Sequence, residues 1–274
     1  MHAPAAGTIS AIELRPTANG RRERAIVLKT DPYAAGEIAY DRPPDQSSLT
    51  TAEFIQWVQD AGFVGLGGAA FPTHVKLSVP EGKNVKFVVA NGCECEPYLT
   101  CDHRIMAERA AQVVRGLRLM MARLGVSRGY IGVEDNKPDA IEALKHAVGG
   151  DAGIEVIALH VKYPQGAEKM LIDAIFRREV PSGKLPLDLE MVVQNVGTIA
   201  GLADLFDKGI PLIERVVTVT GPGIRRPANV LVPLGTPIGA VIDHCGGLLP
   251  ETRQLIVGGP MMGMAQKEPR RPRR

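Results

Sequence analysis

Aromatic side chains are scarce in this sequence: one Trp, five Tyr and six Phe make up 4% of 274 residues. Aliphatic groups must therefore fill any core, and a hydrophobic content of 45% is ample for one. No run approaches the roughly 20 apolar residues of a membrane-spanning helix. The N-terminus lacks the basic–apolar–cleavage pattern of a secretory signal, which points to a soluble cytosolic chain. There is no basic stripe to serve as a nucleic-acid footprint. The formal charge is +2, and four positives are Arg270, Arg271, Arg273 and Arg274 in the terminal EPRRPRR, so the remaining body is nearly neutral. Cysteines number four, as Cys93-x-Cys95-x5-Cys101 and a lone Cys245. That is neither a zinc nor a ferredoxin spacing, so reduced packing thiols are expected and no metal site. His74, His103, His160 and His244 are scattered and add no ligand pattern.

What is abundant is glycine, at 30, and proline, at 21, which implies tight turns and short elements and excludes a long helical bundle. Gly7–Leu14 and Ala25–Leu28 read as short strands of a small β module, and 41–46, with Pro43-Pro44, as a linker. From Ser48 the pattern alternates helix and strand. Thr50 or Thr51 caps a helix with Phe54, Ile55, Trp57 and Val58. Strands are expected at Val85–Ala90, Arg128–Glu134 and Ile154–Val161. Helices are expected at Ile105–Leu124, Pro138–Val148 and Gly166–Arg178. This order implies an α/β fold with a mostly parallel, Rossmann-like sheet core and helices on both faces. Beyond Glu214, strands at 216–220 and 229–233, a helix capped by Thr236 and running to His244, and a strand at 254–257 fit a small β-grasp unit. The expected domains are 1–45, 46–212 and 213–266, with a disordered tail at 267–274.

Two segments carry the chemistry. Gly62–Lys76 contains Gly65-Leu66-Gly67-Gly68, then Phe71-Pro72 and Lys76. It offers bare backbone N–H groups and a cation, which is what a phosphate needs. Yet it matches neither GxGxxG nor GxxxxGKS/T, and a plain turn reads equally well. Asn91, Glu94 and Glu96 follow the apolar run 85–90, at the strand end where α/β folds bind rings and riboses. A carboxylate there takes a diol and repels an extra phosphate, favouring NADH over NADPH; it equally well caps a turn. Glu168, in Tyr163–Lys169, opens a helix, and Asn195–Thr198 has the look of a helix cap.

Four long motifs then coincide: GLGGAAFPTHVKL at 65–77, NGCECEPYLTCDHRIM at 91–106, KYPQGAEKMLIDAIFRREVPSGKLP at 162–186 and QNVGTIA at 194–200. In this order they resemble the RnfC subunit of the Rnf ion-translocating electron-transport complex. The resemblance extends over nearly the whole chain. His2–Thr8 resembles that family's N-terminal lipoyl-like module, here partial, and 214–264 its SLBB β-grasp domain. More distantly the motifs resemble the flavin subunit of respiratory complex I, which has arginine where Leu66 stands.

The resemblance implies an NADH–FMN oxidoreductase module of a membrane-bound complex that couples electron transfer to ion translocation. Carried over by position, Gly65, Gly67, Gly68 and Lys76 hold the FMN phosphate. Asn91, Glu94, Asn195 and Thr198 complete the flavin site, and Phe71, Glu96 and Glu168 meet NADH. Partners are the membrane subunits and a ferredoxin-like subunit, on the cytoplasmic side of the bacterial inner membrane, with membrane contact only through them. The family's 4Fe–4S clusters are expected, but their CxxCxxCxxxCP ligand runs are absent from this chain, so full electron transfer by it alone is not expected. A corrin reductase of the PduS type and a non-enzymatic docking scaffold are the competing readings. Bound FMN separates the scaffold from the other two.

Overall fold

The computed structural model describes residues 2–17, 20–34 and 45–266. The tail at 267–274 and most of the linker at 41–46 lie outside the described residues. In chain order the elements are β1 (Gly7–Pro16), β2 (Arg22–Thr30), α1 (Thr51–Asp60), α2 (Thr73–Leu77), β3 (Phe87–Gly92), α3 (Cys101–Glu108) and α4 (Ala110–Leu124). There follow β4 (Arg128–Glu134), α5 (Pro138–Val148), β5 (Ile154–Leu159), α6 (Glu168–Phe176), β6 (Met191–Asn195) and α7 (Val196–Lys208). The last are β7 (Glu214–Val219), β8 (Ala228–Pro233), α8 (Ile238–His244), β9 (Leu255–Val257) and β10 (Met264–Gln266). Contacts divide the chain into two compact units, one built from residues within 45–96 and 100–212, the other from residues within 3–34, 97–99 and 213–266.

The first unit is a four-stranded parallel sheet in the order β5-β4-β3-β6. The chain walks outward from β3 through β4 to β5, then returns to place β6 on the other side of β3. That reversal is the point where an open α/β sheet parts at its carboxyl edge. Strand alternation sends Phe87, Val89 and Tyr130 to one face, where Leu171 and Ile172 of α6 pack on them with Met191 and Val193. Phe87, Tyr130 and Phe176 form an aromatic cluster on that face. The opposite face holds α4 and α7, with Gly129 against Leu117 and Met121.

Local chemistry starts and stops these helices. Thr50 caps α1 in a capping box: the Glu53 N–H donates to the Thr50 hydroxyl at 3.3 Å and the Thr50 N–H to Glu53 at 2.8 Å. The Thr50 hydroxyl also donates to the Glu53 carboxylate at 2.7 Å, and the Thr50 N–H first and this hydroxyl second hold that carboxyl below its ordinary value. Phe54 of α1 is fully buried, stacked on Phe206 at 4.2 Å with the Arg123 guanidinium over its ring at 5.3 Å. Helix α7 is the central strut. Val196, Ile199, Leu202, Leu205 and Phe206 are all buried, each contributing about 1.5–3 kcal/mol as an upper estimate.

The expected single helix Ile105–Leu124 is two helices. The chain breaks at Arg109 (φ −129°, ψ 32°), whose guanidinium pairs with Asp204 on α7. A tertiary ion pair thus sits at the bend, and no glycine or proline marks it in the sequence. The expected helix Gly166–Arg178 is shorter, because Ala167 is its extended N-cap and Arg177 its left-handed C-cap. Strand β6 and helix α7 were not anticipated beyond the cap at 195–198. A helix buried nearly all round shows no amphipathic period to read.

In the second unit β1 and β2 form a long antiparallel hairpin. β7 and β8 form another, and Ile224, Ile242 and Cys245 make a small core beneath α8. Thr236 does not cap α8. Its hydroxyl donates to the Pro233 carbonyl at 2.8 Å, closing the turn after β8, and Pro237 takes the cap position. The strand foreseen at 254–257 pairs with β10, which was not foreseen.

Helices α4 and α7 cross where a Cβ at Gly116 would come 2.0 Å from the Ile199 carbonyl oxygen. Gly116→Ala gains about 1 kcal/mol of helix propensity. It must also push the helices apart, at about 1–3 kcal/mol or more. The net is expected to be a loss, read as a lower urea midpoint with an unchanged slope.

Candidate functional site

Asn91, next to last in β3, and Asn195, the last of β6, stand in register on adjacent parallel strands at the edge where the sheet reverses. Each side chain is tied down. Asn91 Nδ2 donates to the Gly166 carbonyl at 2.8 Å, and its oxygen accepts from the Cys93 N–H at 3.1 Å. Asn195 caps α7, its oxygen accepting from the N–H groups of Gly197 at 2.8 Å and Thr198 at 3.3 Å. Its amide donates to Asp102 at 2.6 Å. Glu94 does the same for α3 from outside the helix: it accepts from the N–H groups of Asp102 at 3.0 Å and His103 at 3.1 Å. Glu94 thus caps the start of α3.

The glycine loop folds over this edge as a closed turn. Val64 and Pro72 form an antiparallel bridge, the Gly65 N–H donates to the Phe71 carbonyl at 2.8 Å, and the Thr73 N–H to Phe63 at 3.0 Å. Thr198, fully buried, pins it: its hydroxyl accepts from the Leu66 N–H at 2.9 Å and donates to the Val64 carbonyl at 3.3 Å. A Cβ at Gly67 would meet the Asn195 side chain at 3.0–3.3 Å, so loop and α7 cap touch. Gly68 has φ +155° and open space beside it, and Gly65 meets only the Phe71 backbone at 3.6 Å or more. Phe71 presents an exposed ring.

Lys76, on α2, reaches the same edge. Its ammonium donates to Glu168 at 3.1 Å and to the Val193 carbonyl at 3.1 Å. Gln194 donates to Thr73 at 3.2 Å, both residues buried, which fastens α2 alongside β6. Glu96 is half-buried just beyond β3. The structure therefore gathers Gly67, Lys76, Asn91, Glu94, Asn195, Thr198 and Glu168 around the reversal point.

Sequence reasoning missed several participants. Asp102 links the Asn195 cap to the Glu94 cap; its place at the start of α3 was the available signal. Gln165 is almost wholly buried, with its Nε2 unpartnered among the described residues. Glu134 and Lys137, at the end of β4 and the start of α5, form a buried ion pair whose Oε1 also lacks a partner among the described residues. Glu94, Cys101 and Asp102 bring donor atoms within 4.8 Å of one another, but both carboxylates already serve the caps. Beside them the buried Cys93 thiol is pushed up to about 12, by desolvation first and the Glu134 charge second.

The residues present fit a flavin phosphate. Open space stands where Gly68 lacks a Cβ, Gly65 meets only ordinary contact with the Phe71 backbone, and a lysine sits at the loop's foot.

Residues 58–204 match the family described as the Nuo51 FMN-binding domain, and residues 216–265 match the SLBB domain. Three relatives are each the subunit designated C of an ion-translocating complex. That of the Na+-translocating ferredoxin:NAD+ oxidoreductase complex of Acetobacterium woodii is 49% identical over 266 residues, 97% of this chain and 60% of that protein. Its counterpart in the proton-translocating ferredoxin:NAD+ oxidoreductase complex of Clostridium ljungdahlii is 47% identical over 243 residues, 89% and 53%. The one from the ion-translocating oxidoreductase complex of Rhodobacter capsulatus is 40% identical over 283 residues, 99% and 53%. The chain thus spans about half to three-fifths of these relatives. A solved NAD+-reducing NiFe hydrogenase in the H2-reduced state shares the fold, with a TM-score of 0.63 at 21% identity, over 79% of this chain and 42% of that one. No helix among the described residues is long and apolar enough to cross a membrane.

Two outcomes are expected. Thr198→Val keeps the shape but strands the Leu66 N–H and the Val64 carbonyl, at about 1–3 kcal/mol. Hydrogen exchange at the Leu66 amide should quicken more than exchange in β3. The Cys93 thiol ionises at lower pH unfolded than folded, so the folded state binds more protons between pH 9 and about 12. Stability then falls as pH rises through that window, by up to about 1.4 kcal/mol per pH unit. Cys93→Ala should flatten that part of the unfolding profile.

Proposed function

The chain belongs to the Nuo51 FMN-binding domain family, in its RnfC branch, and from this we propose that it is the NADH–FMN electron-entry module of an ion-translocating oxidoreductase complex. The observation that carries the reading is the glycine loop and Lys76 drawn over the carboxyl ends of β3 and β6. FMN, when bound, supplies two-electron acceptance from a nicotinamide and single-electron release.

The chain's own residues do the holding. The Gly65, Gly67 and Gly68 segment offers backbone N–H groups and room for the phosphate, and Lys76 supplies charge. Asn91, Asn195 and Thr198 act mainly by position: their bonds fix the strand ends, the α7 start and the loop. Glu94 holds the start of α3, which presents Asp102 to Asn195. Phe71 offers a ring face to the nicotinamide, and Glu96 and Glu168 offer carboxylates to nucleotide hydroxyls. Electrons leave to iron–sulfur clusters and other subunits of the complex. The chain sits peripherally at the cytoplasmic face of the membrane and meets it through those partners.

FMN fluorescence should be quenched on titration with the purified chain. NADH added without oxygen should then bleach the flavin's blue absorption band. Tight binding with no bleaching would remove the nucleotide half of the proposal, and no binding would remove all of it. Lys76→Ala should weaken FMN by about tenfold, in the range of a lost charge-assisted bond.

A further inference from the structure

The proposed function places Lys76 on the phosphate and Glu168 on the nicotinamide nucleotide, yet the two side chains are bonded to each other at 3.1 Å. The two half-sites therefore share one ion pair. Lys76 cannot easily leave. Its ammonium also donates to the Val193 carbonyl at 3.1 Å, and α2 is fastened to β6 through the buried Thr73–Gln194 bond. Glu168 is freer, being the first residue of α6 with a side chain 36% exposed. An ammonium has three donors, and two are in use.

A phosphate carries up to about two negative charges. Seated on the Gly65–Gly68 loop within reach of Lys76, it adds a second anion beside the same cation. The Glu168 carboxylate then faces like charge where it had a partner, and it is the member able to rotate away.

Resting on the flavin reading, we infer that Glu168 is a built-in competitor for Lys76. It neutralises the lysine in the flavin-free protein, is displaced by the phosphate, and only then becomes available to nucleotide hydroxyls. Flavin loading and nucleotide binding are coupled through that one carboxylate, and the coupling acts equally in both directions.

The test compares FMN with riboflavin, which lacks the phosphate, by fluorescence titration of the chain and its Glu168→Gln, Lys76→Met and doubly substituted variants. Glu168→Gln is expected to tighten FMN about two- to fivefold, the scale of a partly exposed ion pair. Riboflavin affinity should not change, which also reports that the variant is folded. In the Lys76→Met background the Glu168→Gln gain should vanish. Unchanged or weaker FMN binding by Glu168→Gln, an equal gain for riboflavin, or a gain that survives Lys76→Met would each overturn the competition while leaving the flavin site standing. Failure of the unsubstituted chain to bind either flavin would instead overturn the flavin reading and this inference with it.

Discussion

The reversal of the sheet between β3 and β6 is the constraint on which the site depends. Parallel strands must be joined by crossovers, and here the β5-to-β6 crossover runs through α6 on the face opposite α4 and α7. Strands β3 and β6 both continue into helices on the α4–α7 face, while the glycine loop and α2 lie over the strand ends between them. Asn91 and Asn195 stand in register at that edge. Everything the site uses is positioned from these two strand ends.

The polar groups near the edge mostly hold one another. Asn195 starts α7, Glu94 starts α3, and Asp102 ties the two starts together. Thr198 then carries the order of α7 outward into the glycine loop through two hydrogen bonds. Buried groups cannot be left unpaired without a cost of about 1–3 kcal/mol each, so this network makes the loop's shape a consequence of core packing. The groups left at that edge are the backbone of residues 65–68, the half-engaged Lys76 and the exposed Phe71 ring. A residue that positions and a residue that binds are easily confused in a motif, because both are required at the same place.

Much of the fold was legible. Thr50 ahead of the apolar positions Phe54, Ile55, Trp57 and Val58 announced α1, and the apolar runs announced β3, β4 and β5. The misses share a cause. The break at Arg109 coincides with its pair to Asp204, a residue far along the chain. The burial of α7 erases the period that would reveal it, and β9 needed β10 as a partner no local pattern identifies. In the site, Glu94 and Glu96 look alike as carboxylates past a strand. Only the position of α3 makes Glu94 a cap.

By itself the sequence determined the parallel α/β class, the presence of a C-terminal β unit, the family and the place of the candidate site. These rest on residue type and spacing, which act locally: glycines where a side chain would obstruct, apolar runs where strands are buried, caps where helices begin. Tertiary structure alone decided which way each polar group faces, that Thr198 and Asn91 spend their hydrogen bonds on the protein, and that Lys76 and Glu168 are one pair. Those outcomes depend on distances between segments about 75 to 130 residues apart, and no spacing along the chain encodes such a distance until the strands have been ordered.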